Sequence, residues 1–165
     1  MTSVFGFNSN NSLEVDLGMF YRKRHHGDSY NIAFVECKTL KPFQKKDIDR
    51  MKDIAQKFPN SQIVFATLNQ ELSKDEKDLL IPFVNWSRKI DDITYKPRNE
   101  VIILTETELL AEHNINEAWK LKGGQHKELS EERKYDLENN LWDITQQVYL
   151  DLSPWEEWLE EKMKR

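Results

Sequence analysis

The sequence lacks the features that mark secreted, membrane-spanning or cysteine-rich proteins. Cys37 is the only cysteine among 165 residues, so an internal disulfide framework and a cysteine-rich zinc site are both excluded. No uncharged apolar run approaches the roughly 18 residues of a transmembrane helix. Residues 1–11 have neither the basic start nor the apolar core of a signal peptide. These absences predict a cytoplasmic protein without membrane contact.

A strongly basic composition is also lacking. The 24 Lys and Arg residues are outnumbered by 29 Asp and Glu residues, which gives a net charge of −5. A protein that coats nucleic acid nonspecifically usually needs a strongly basic face, so the composition argues against that class and leaves local basic segments open. Aromatic residues make up 11% of the chain, which argues against disorder because they supply apolar surface for a core.

Alternating and apolar runs predict a mixed sheet flanked by helices. Strands are predicted over residues 13–21, 30–39, 62–68 and 101–104, and helices over 45–58, 73–88 and 106–113. The second helix begins with the capping-box spacing of Ser73 and Glu76. This order of strands and helices assigns the chain to the α/β class.

The last third of the sequence predicts a helical extension. Gly123 and Gly124 suggest a joint, so we expect an α/β domain over residues 1–121 and an extension over residues 122–165. One helix is predicted over 129–150 and a shorter one after Pro154. The extension packs either on the domain or on a partner, and in the second case it predicts a homodimer or a subunit of a larger complex. Trp155 and Trp158 share one face of the last helix.

The first two strands are expected to gather charged residues on one face. Residues two apart in a strand share a face, so Glu36 and Lys38 project together. If the turn is centred near residue 26, paired residues have numbers that sum to about 52. Asp16 then lies opposite Glu36 and Glu14 opposite Lys38, with Cβ atoms about 4.5–5.5 Å apart. Such charges in apolar strands are costly unless they are paired.

This group of residue types suits metal-assisted cleavage of phosphodiesters. Mg²⁺ prefers carboxylate and water oxygens, and it polarises a phosphate and acidifies water. A neighbouring lysine can orient that water or stabilise developing charge. The alternative is an ordinary Glu–Lys pair at an exposed strand end. Cys37 points to the opposite face, where a small buried residue is a simpler interpretation than a nucleophile.

The same residues resemble a known nuclease superfamily. Asp16, a turn, the segment Val35-Glu36-Cys37-Lys38-Thr39, a helix and the strand at 63–67 resemble the PD-(D/E)xK nucleases. The order of elements over residues 13–110 is most similar to the Mrr-type restriction endonuclease domain. The resemblance implies a restriction-endonuclease-like fold and a metal-dependent endonuclease. It also implies a role in restriction, antiviral defence or repair, with DNA as substrate and RNA as the alternative.

The resemblance also implies roles for individual residues. Asp16, Glu36 and the backbone carbonyl of Cys37 would bind Mg²⁺ or Mn²⁺. Glu14 is a candidate for a further ligand, in place of a Glu that the family often carries on a helix before the Asp strand. Lys38 would be the catalytic lysine, beside Asp16 and Glu36. The alternative of a different class is a catalytically silent nuclease-like domain that binds nucleic acid or assembles with other proteins. The net charge of −6 over residues 128–165, which hold 5 basic and 11 acidic side chains, motivates that alternative.

Two basic segments are candidates for contact with a nucleic-acid backbone. One is the turn after the first strand, and the other begins the first helix, where backbone N–H groups favour phosphate. The candidate residues are Arg22, Lys23, Arg24, Lys41, Gln44, Lys45 and Lys46. His25 and His26 lie in the same turn as the first segment. The alternative for both segments is ordinary solvated surface.

Overall fold

Four strands form one mixed sheet at the centre of the protein. The computed structural model describes residues 14–22, 30–90, 97–111, 114–133 and 137–164. The strands are β1 (Leu17–Arg22), β2 (Tyr30–Lys38), β3 (Gln62–Thr67) and β4 (Glu100–Leu104), in the spatial order β1-β2-β3-β4. β1 pairs antiparallel with β2, whereas β2, β3 and β4 are parallel. The predicted mixed α/β sheet is therefore confirmed.

Seven helices accompany the sheet within the described residues. They are α1 (Lys45–Lys57), α2 (Lys74–Ser87), α3 (Glu106–Leu109), α4 (Ile115–Lys122), α5 (Gly124–Glu132), α6 (Leu137–Leu150) and α7 (Trp155–Met163). α1 and α2 lie close to their predicted ranges. Ser73 caps α2 as expected, since its Oγ accepts the N–H of Glu76 at 3.4 Å and its own N–H donates to Glu76 Oε2 at 2.9 Å. None of the helices in the described ranges is long and apolar enough to cross a bilayer.

The single helix predicted over 129–150 is wrong. α4 was not predicted, and it ends at Gly123, whose φ of 78° is favourable for glycine and unfavourable for other residues. α5 starts at the next residue and ends at Arg133, where φ is −105° and ψ is 22°. α6 is thus a separate helix, and its backbone is kinked at Asn140.

Apolar side chains cover both faces of the sheet. Alternate strand residues point to opposite faces, so each strand contributes to two layers. The first layer joins the strands to α1, α2 and α6 and includes Phe34, Met51, Ile54, Phe65, Leu80, Ile103 and Ile144. The second, smaller layer includes Val35, Val64, Ala66, Ile102 and Trp142. The uncharged run at 32–35 contributes to both layers, Phe34 to the first and Val35 to the second, so β2 is covered on both faces.

α6 covers the outer edge of β4. An edge strand presents unpaired N–H and C=O groups, which need partners when they are buried. Gln146 Nε2 donates to the carbonyl of Val101 at 2.7 Å, and the N–H of Ile103 donates to Thr145 Oγ1 at 3.2 Å. Residues of the C-terminal extension therefore complete the sheet edge and the core.

A buried arginine ties α2 to the C-terminal helices. Arg88 is fully buried directly after α2, and its guanidinium donates to Gln146 Oε1 at 2.6 Å and to the carbonyl of Ser153 at 2.9 Å. Its Nη2 also lies 3.3 Å from Asp143 Oδ1. Burial raises the pKa of Asp143, although Arg88 and the N–H of Trp155 oppose that shift. Trp155 in turn donates from Nε1 to the carbonyl of Arg88 at 3.0 Å, so it serves the protein's own packing.

Candidate active site

The carboxyl end of β2 carries the two central residues of the site. Glu36 is completely buried (0% exposed) on the face of β2 that α1 covers. Lys38 lies two residues later on the same face, with its Nζ 2.8 Å from Glu36 Oε1. The predicted register is confirmed, because Leu17 pairs with Val35, so their numbers sum to 52.

Asp16 meets β2 through a backbone group. Its Oδ2 accepts the N–H of Cys37 at 2.7 Å. This side-chain bond lies just beyond the end of the paired strands, since the last pair of β1 and β2 at this end is Leu17 with Val35. The predicted cross-strand pairs of Asp16 with Glu36 and of Glu14 with Lys38 therefore do not form as strand pairs. β1 begins at Leu17, four residues later than predicted.

Two further residues of the site come from α1, and the sequence analysis missed both. Asp47 lies in the first turn of α1 and is 1% exposed. Its Oδ1 is 3.1 Å from Lys38 Nζ, and its Oδ2 accepts the N–H of Gln44 at 2.9 Å. Arg50 follows three residues later, donates from Nη2 to Glu36 Oε2, and lies 3.5 Å from Asp47 Oδ1.

These contacts define a group of charged side chains that we call the charge cluster. Its members are Glu14, Asp16, Glu36, Lys38, Asp47 and Arg50. Glu14 lies at the outer rim, where it is 82% exposed and its Oε2 is 3.9 Å from Arg50 Nη1. The carboxylates of Glu36 and Asp47 are thus buried where β2 meets α1, whereas Asp16 and Glu14 are exposed.

The contacts inside the cluster fix the protonation of Lys38 and Asp47. Burial by itself would lower the pKa of Lys38, but the contacts with Glu36 and Asp47 outweigh it and raise that pKa above its usual value. Burial likewise opposes ionisation of Asp47, but the N–H of Gln44 and the charge of Lys38 lower its pKa below the usual value. At neutral pH the two residues are an ammonium and a carboxylate.

Cys37 differs from its predicted environment. It is exposed, not buried, because it lies past the apolar layer that covers Val35 near the end of β2. Partial burial raises the pKa of its thiol, and the charges of Asp16 and Glu36 add to that shift. A protonated thiol is a poor nucleophile, so this result supports the interpretation of Cys37 as non-nucleophilic.

The chemistry of the cluster fits a divalent cation. Its four carboxylates and two cations leave a net charge of −2, which one Mg²⁺ or Mn²⁺ balances. The buried oxygen Glu36 Oε1 lacks a well-directed hydrogen bond within the described chain, since Lys38 meets it as an ion pair. Hard oxygen donors are the ligands that Mg²⁺ prefers. The residues that could hold the cation are Asp16, Glu36 and the carbonyl of Cys37.

The side-chain geometry does not by itself form a metal cage. Across the ranges that the structure covers, no group of three or more His, Cys, Asp or Glu side chains is arranged to hold a metal ion. Both oxygens of Glu36 contact cations of the protein, Lys38 at Oε1 and Arg50 at Oε2. A metal ligand set at this place therefore requires a rearrangement of these contacts.

The predicted nucleic-acid contacts are placed only in part. Lys41, Gln44, Lys45 and Lys46 are exposed around the start of α1, next to the charge cluster. Lys45 pairs with Asp49 at 2.5 Å, which is the ordinary surface ion pair of the alternative interpretation. Lys23, Arg24, His25 and His26 lie outside the described residues, and Arg22 ends β1.

Comparisons with known proteins give no match. No family model matches the chain, and neither the curated proteins nor the solved structures include a significant match. The interpretation of the site therefore depends on its own geometry and on the residues from Asp16 to Thr39 that resemble the nuclease motif.

Proposed function

We propose that the protein is a Mg²⁺- or Mn²⁺-dependent endonuclease that hydrolyses phosphodiester bonds of DNA. The observation that carries the proposal is a fully buried Glu36 with Lys38 on the same face of β2, beside the Asp16 carboxylate at the neighbouring strand end. Burial of charge costs free energy. An ordinary Glu–Lys pair at a strand end would lie in solvent and would not carry this cost. The burial of Glu36 therefore makes the ordinary surface pair the weaker interpretation.

In the proposed reaction, Lys38 orients the attacking water and stabilises negative charge on the phosphate. An ammonium carries three donors and no acceptor, so Lys38 can hydrogen-bond to the oxygen of an attacking water but cannot take its proton. The same donors can stabilise negative charge that develops on the phosphate. Asp47 fixes the ammonium from α1 through the contact of 3.1 Å, which makes it a positioning residue.

Asp16 and Glu36 have the role of holding the cation, together with the carbonyl of Cys37. When bound there, Mg²⁺ supplies Lewis acidity to a phosphate oxygen and to water. Glu36 lies on a rigid central strand, which suits a fixed ligand. Asp16 is exposed at the start of β1, where substrate can approach it.

The exposed lysines at the start of α1 supply the proposed contact with DNA. Lys41, Lys45 and Lys46 are exposed in the segment of chain that joins Lys38 to Asp47, and their charges would attract a phosphate backbone. RNA is the other substrate that this electrostatic contact permits. Activity in cytoplasmic restriction, antiviral defence or repair, as a homodimer or within a larger complex, belongs to the same proposal.

A second candidate function follows from the cations at Glu36. Both of its oxygens already contact a positive side chain, so the cluster is balanced at its buried centre without any metal. This arrangement favours a catalytically silent nuclease-like domain that serves as a binding or assembly module. Such a module would show neither cleavage nor a change of melting temperature with Mg²⁺ or Mn²⁺.

The proposal is tested by incubating purified protein with supercoiled plasmid and, separately, with single-stranded RNA. We expect nicking or linearisation of the plasmid in MgCl₂ or MnCl₂ and none in EDTA. The variant Asp16→Asn should lose the activity, whereas Asp49→Asn, an exposed carboxylate of α1, should keep it. Cleavage that persists in Asp16→Asn would exclude the proposed site, and cleavage of RNA alone would change the substrate.

A further inference from the structure

Arg50 is held differently from Arg88, the fully buried arginine that follows α2. The guanidinium of Arg88 donates to three oxygens and is fully buried, so it is fixed in place. The side chain of Arg50 is 25% exposed, and its Nε is buried without a hydrogen-bond partner in the described residues. The guanidinium of Arg50 is therefore held only through its Nη groups, so it is less constrained than that of Arg88.

The guanidinium of Arg50 occupies an oxygen that a metal would need. It donates to Glu36 Oε2, and Lys38 contacts the other oxygen of that carboxylate. A divalent cation bound at Glu36 Oε2 would lie close to the guanidinium of Arg50, and the repulsion between the two positive charges favours release of Arg50 from that oxygen. Of the two cations at Glu36, Lys38 is the more closely held, because its Nζ is 3.1 Å from Asp47 Oδ1, whereas Nη2 of Arg50 is 3.5 Å from that oxygen.

Two other carboxylates lie near the guanidinium of Arg50. Asp47 Oδ1 lies 3.5 Å from its Nη2, and the exposed Glu14 lies 3.9 Å from its Nη1. A guanidinium that leaves Glu36 therefore stays next to two carboxylates and near solvent. Its displacement leaves no unpaired buried charge, provided that a divalent cation takes its place at Glu36.

We propose that Arg50 is an internal counter-ion that exchanges with the divalent cation at Glu36. In the metal-free protein Arg50 neutralises the buried carboxylate, and metal binding requires its release toward Asp47 and Glu14. This inference rests on the proposed metal site, and it goes further by assigning a residue that weakens metal binding. The exchange stabilises the empty site at the expense of metal affinity.

The test is a calorimetric titration of Mn²⁺ into the wild-type protein and Arg50→Gln, together with their melting temperatures. Glutamine keeps a donor for Glu36 but removes the positive charge. We expect Arg50→Gln to melt at a lower temperature without metal, to bind Mn²⁺ about tenfold more tightly, and to gain more thermal stability from Mn²⁺. Arg133→Gln is the matched control, since Arg133 is 33% exposed and 3.8 Å from Asp143 Oδ2, and its Mn²⁺ affinity should equal that of the wild type.

The outcomes separate this inference from the proposed function. If the wild type binds Mn²⁺ and Arg50→Gln binds it equally or more weakly, the exchange is wrong while the metal site stands. If neither protein binds Mn²⁺, both the exchange and the metal-dependent function are wrong. Should Arg50→Gln not fold, Arg50→Lys takes its place. Lysine keeps the positive charge but lacks the forked donors of a guanidinium, so a smaller gain in affinity supports the exchange, and no gain contradicts it.

Discussion

The ammonium of Lys38 lies 3.1 Å from Oδ1 of Asp47, which joins the last residue of β2 to the first turn of α1. Asp47 also caps its own helix by accepting the N–H of Gln44. One carboxylate thus sets the position of a strand end and of the helix that follows. The candidate site depends on this contact because it holds Lys38 beside Glu36.

Replacing Asp47 by asparagine should destabilise the fold. Asp47→Asn loses the charge that pairs with Lys38 and Arg50 in a buried place, which should cost about 1–3 kcal/mol in the free energy of unfolding. Urea denaturation at pH 7 measures this cost. Asp49→Asn, on the exposed side of the same helix, should change stability by less than about 0.5 kcal/mol.

The effect of Asp47 should also depend on pH. Its pKa is lowered below the ordinary value of 3.8, so its contribution to stability is present above that pH and is lost as the pH falls through the folded pKa. The stability difference between the wild type and Asp47→Asn should therefore be full at pH 7 and should shrink below pH 3.8. A difference that stays constant down to pH 2 would contradict the ionised pair.

Removing the ammonium of Lys38 should separate catalysis from metal binding. Lysine is not a Mg²⁺ ligand, so Lys38→Met should not weaken the binding of Mn²⁺ measured by calorimetry. Its cleavage rate should fall about 10²–10³-fold, the usual effect of losing one charge-stabilising donor. Lys57→Met, an exposed lysine at the opposite end of α1 that belongs neither to the cluster nor to the proposed DNA contact, serves as the control. Cleavage by Lys38→Met at the wild-type rate would remove Lys38 from the mechanism.

The buried pair of Arg88 and Asp143 should be essential for the C-terminal helices. Arg88→Met leaves the carboxylate of Asp143 and an oxygen of Gln146 without this donor, so we expect a loss of about 3–5 kcal/mol. Urea denaturation gives the loss, and limited proteolysis should detect earlier cleavage after α6. Lys89→Met, an exposed neighbour, should stay within about 0.5 kcal/mol of the wild type. If Arg88→Met also stayed within about 0.5 kcal/mol of the wild type, the contacts of Arg88 would not hold α6 and α7 in place.

His126 should make the protein less stable in mild acid. Burial and the charge of Lys122 lower its pKa below 6.5, although Glu108 and Glu71 oppose that shift, and its Nε2 lies 3.2 Å from the hydroxyl of Tyr149. The unfolded chain then takes up the proton at a higher pH than the folded chain. Stability is full above pH 6.5 and falls as the pH drops through that value.

The melting temperatures of the wild type and His126→Gln between pH 7.5 and 5.5 measure this effect. The wild type should lose more stability over the interval than His126→Gln, which cannot titrate at this position. The remaining histidines are common to both proteins and cancel in the comparison. Equal losses in the two proteins would show that His126 does not titrate differently on folding.

Much of the sheet could be predicted from the sequence because its signals are local. The apolar runs at 32–35 and 62–68 mark β2 and β3, and turn centring near residue 26 gave the correct register of β1 and β2. The capping box at Ser73 fixed the start of α2. These features depend on neighbours in the chain, which a single sequence contains.

The rest of the candidate site depends on tertiary contacts that the sequence does not display. Asp47 and Arg50 stand three residues apart on an amphipathic helix, a pattern that surface charges also produce. The one sequence feature that could have pointed to these two residues is that their helix follows the strand of Glu36 and Lys38 in the chain. The exposure of Cys37 could not be predicted either, since it depends on where the layer containing Trp142 ends.

The central claim is that Glu36 belongs to a metal-dependent nuclease site, and cleavage by Glu36→Gln tests it most directly. Glutamine has the same shape but no charge, so it replaces an anionic ligand by a weaker neutral one while it preserves the packing of β2. We predict that the wild-type protein nicks supercoiled plasmid in Mg²⁺ and that Glu36→Gln does so at least about 100-fold more slowly. Circular dichroism should show that the variant is folded. Plasmid nicking by folded Glu36→Gln at the wild-type rate, or no nicking by the wild type in either Mg²⁺ or Mn²⁺, would contradict the account.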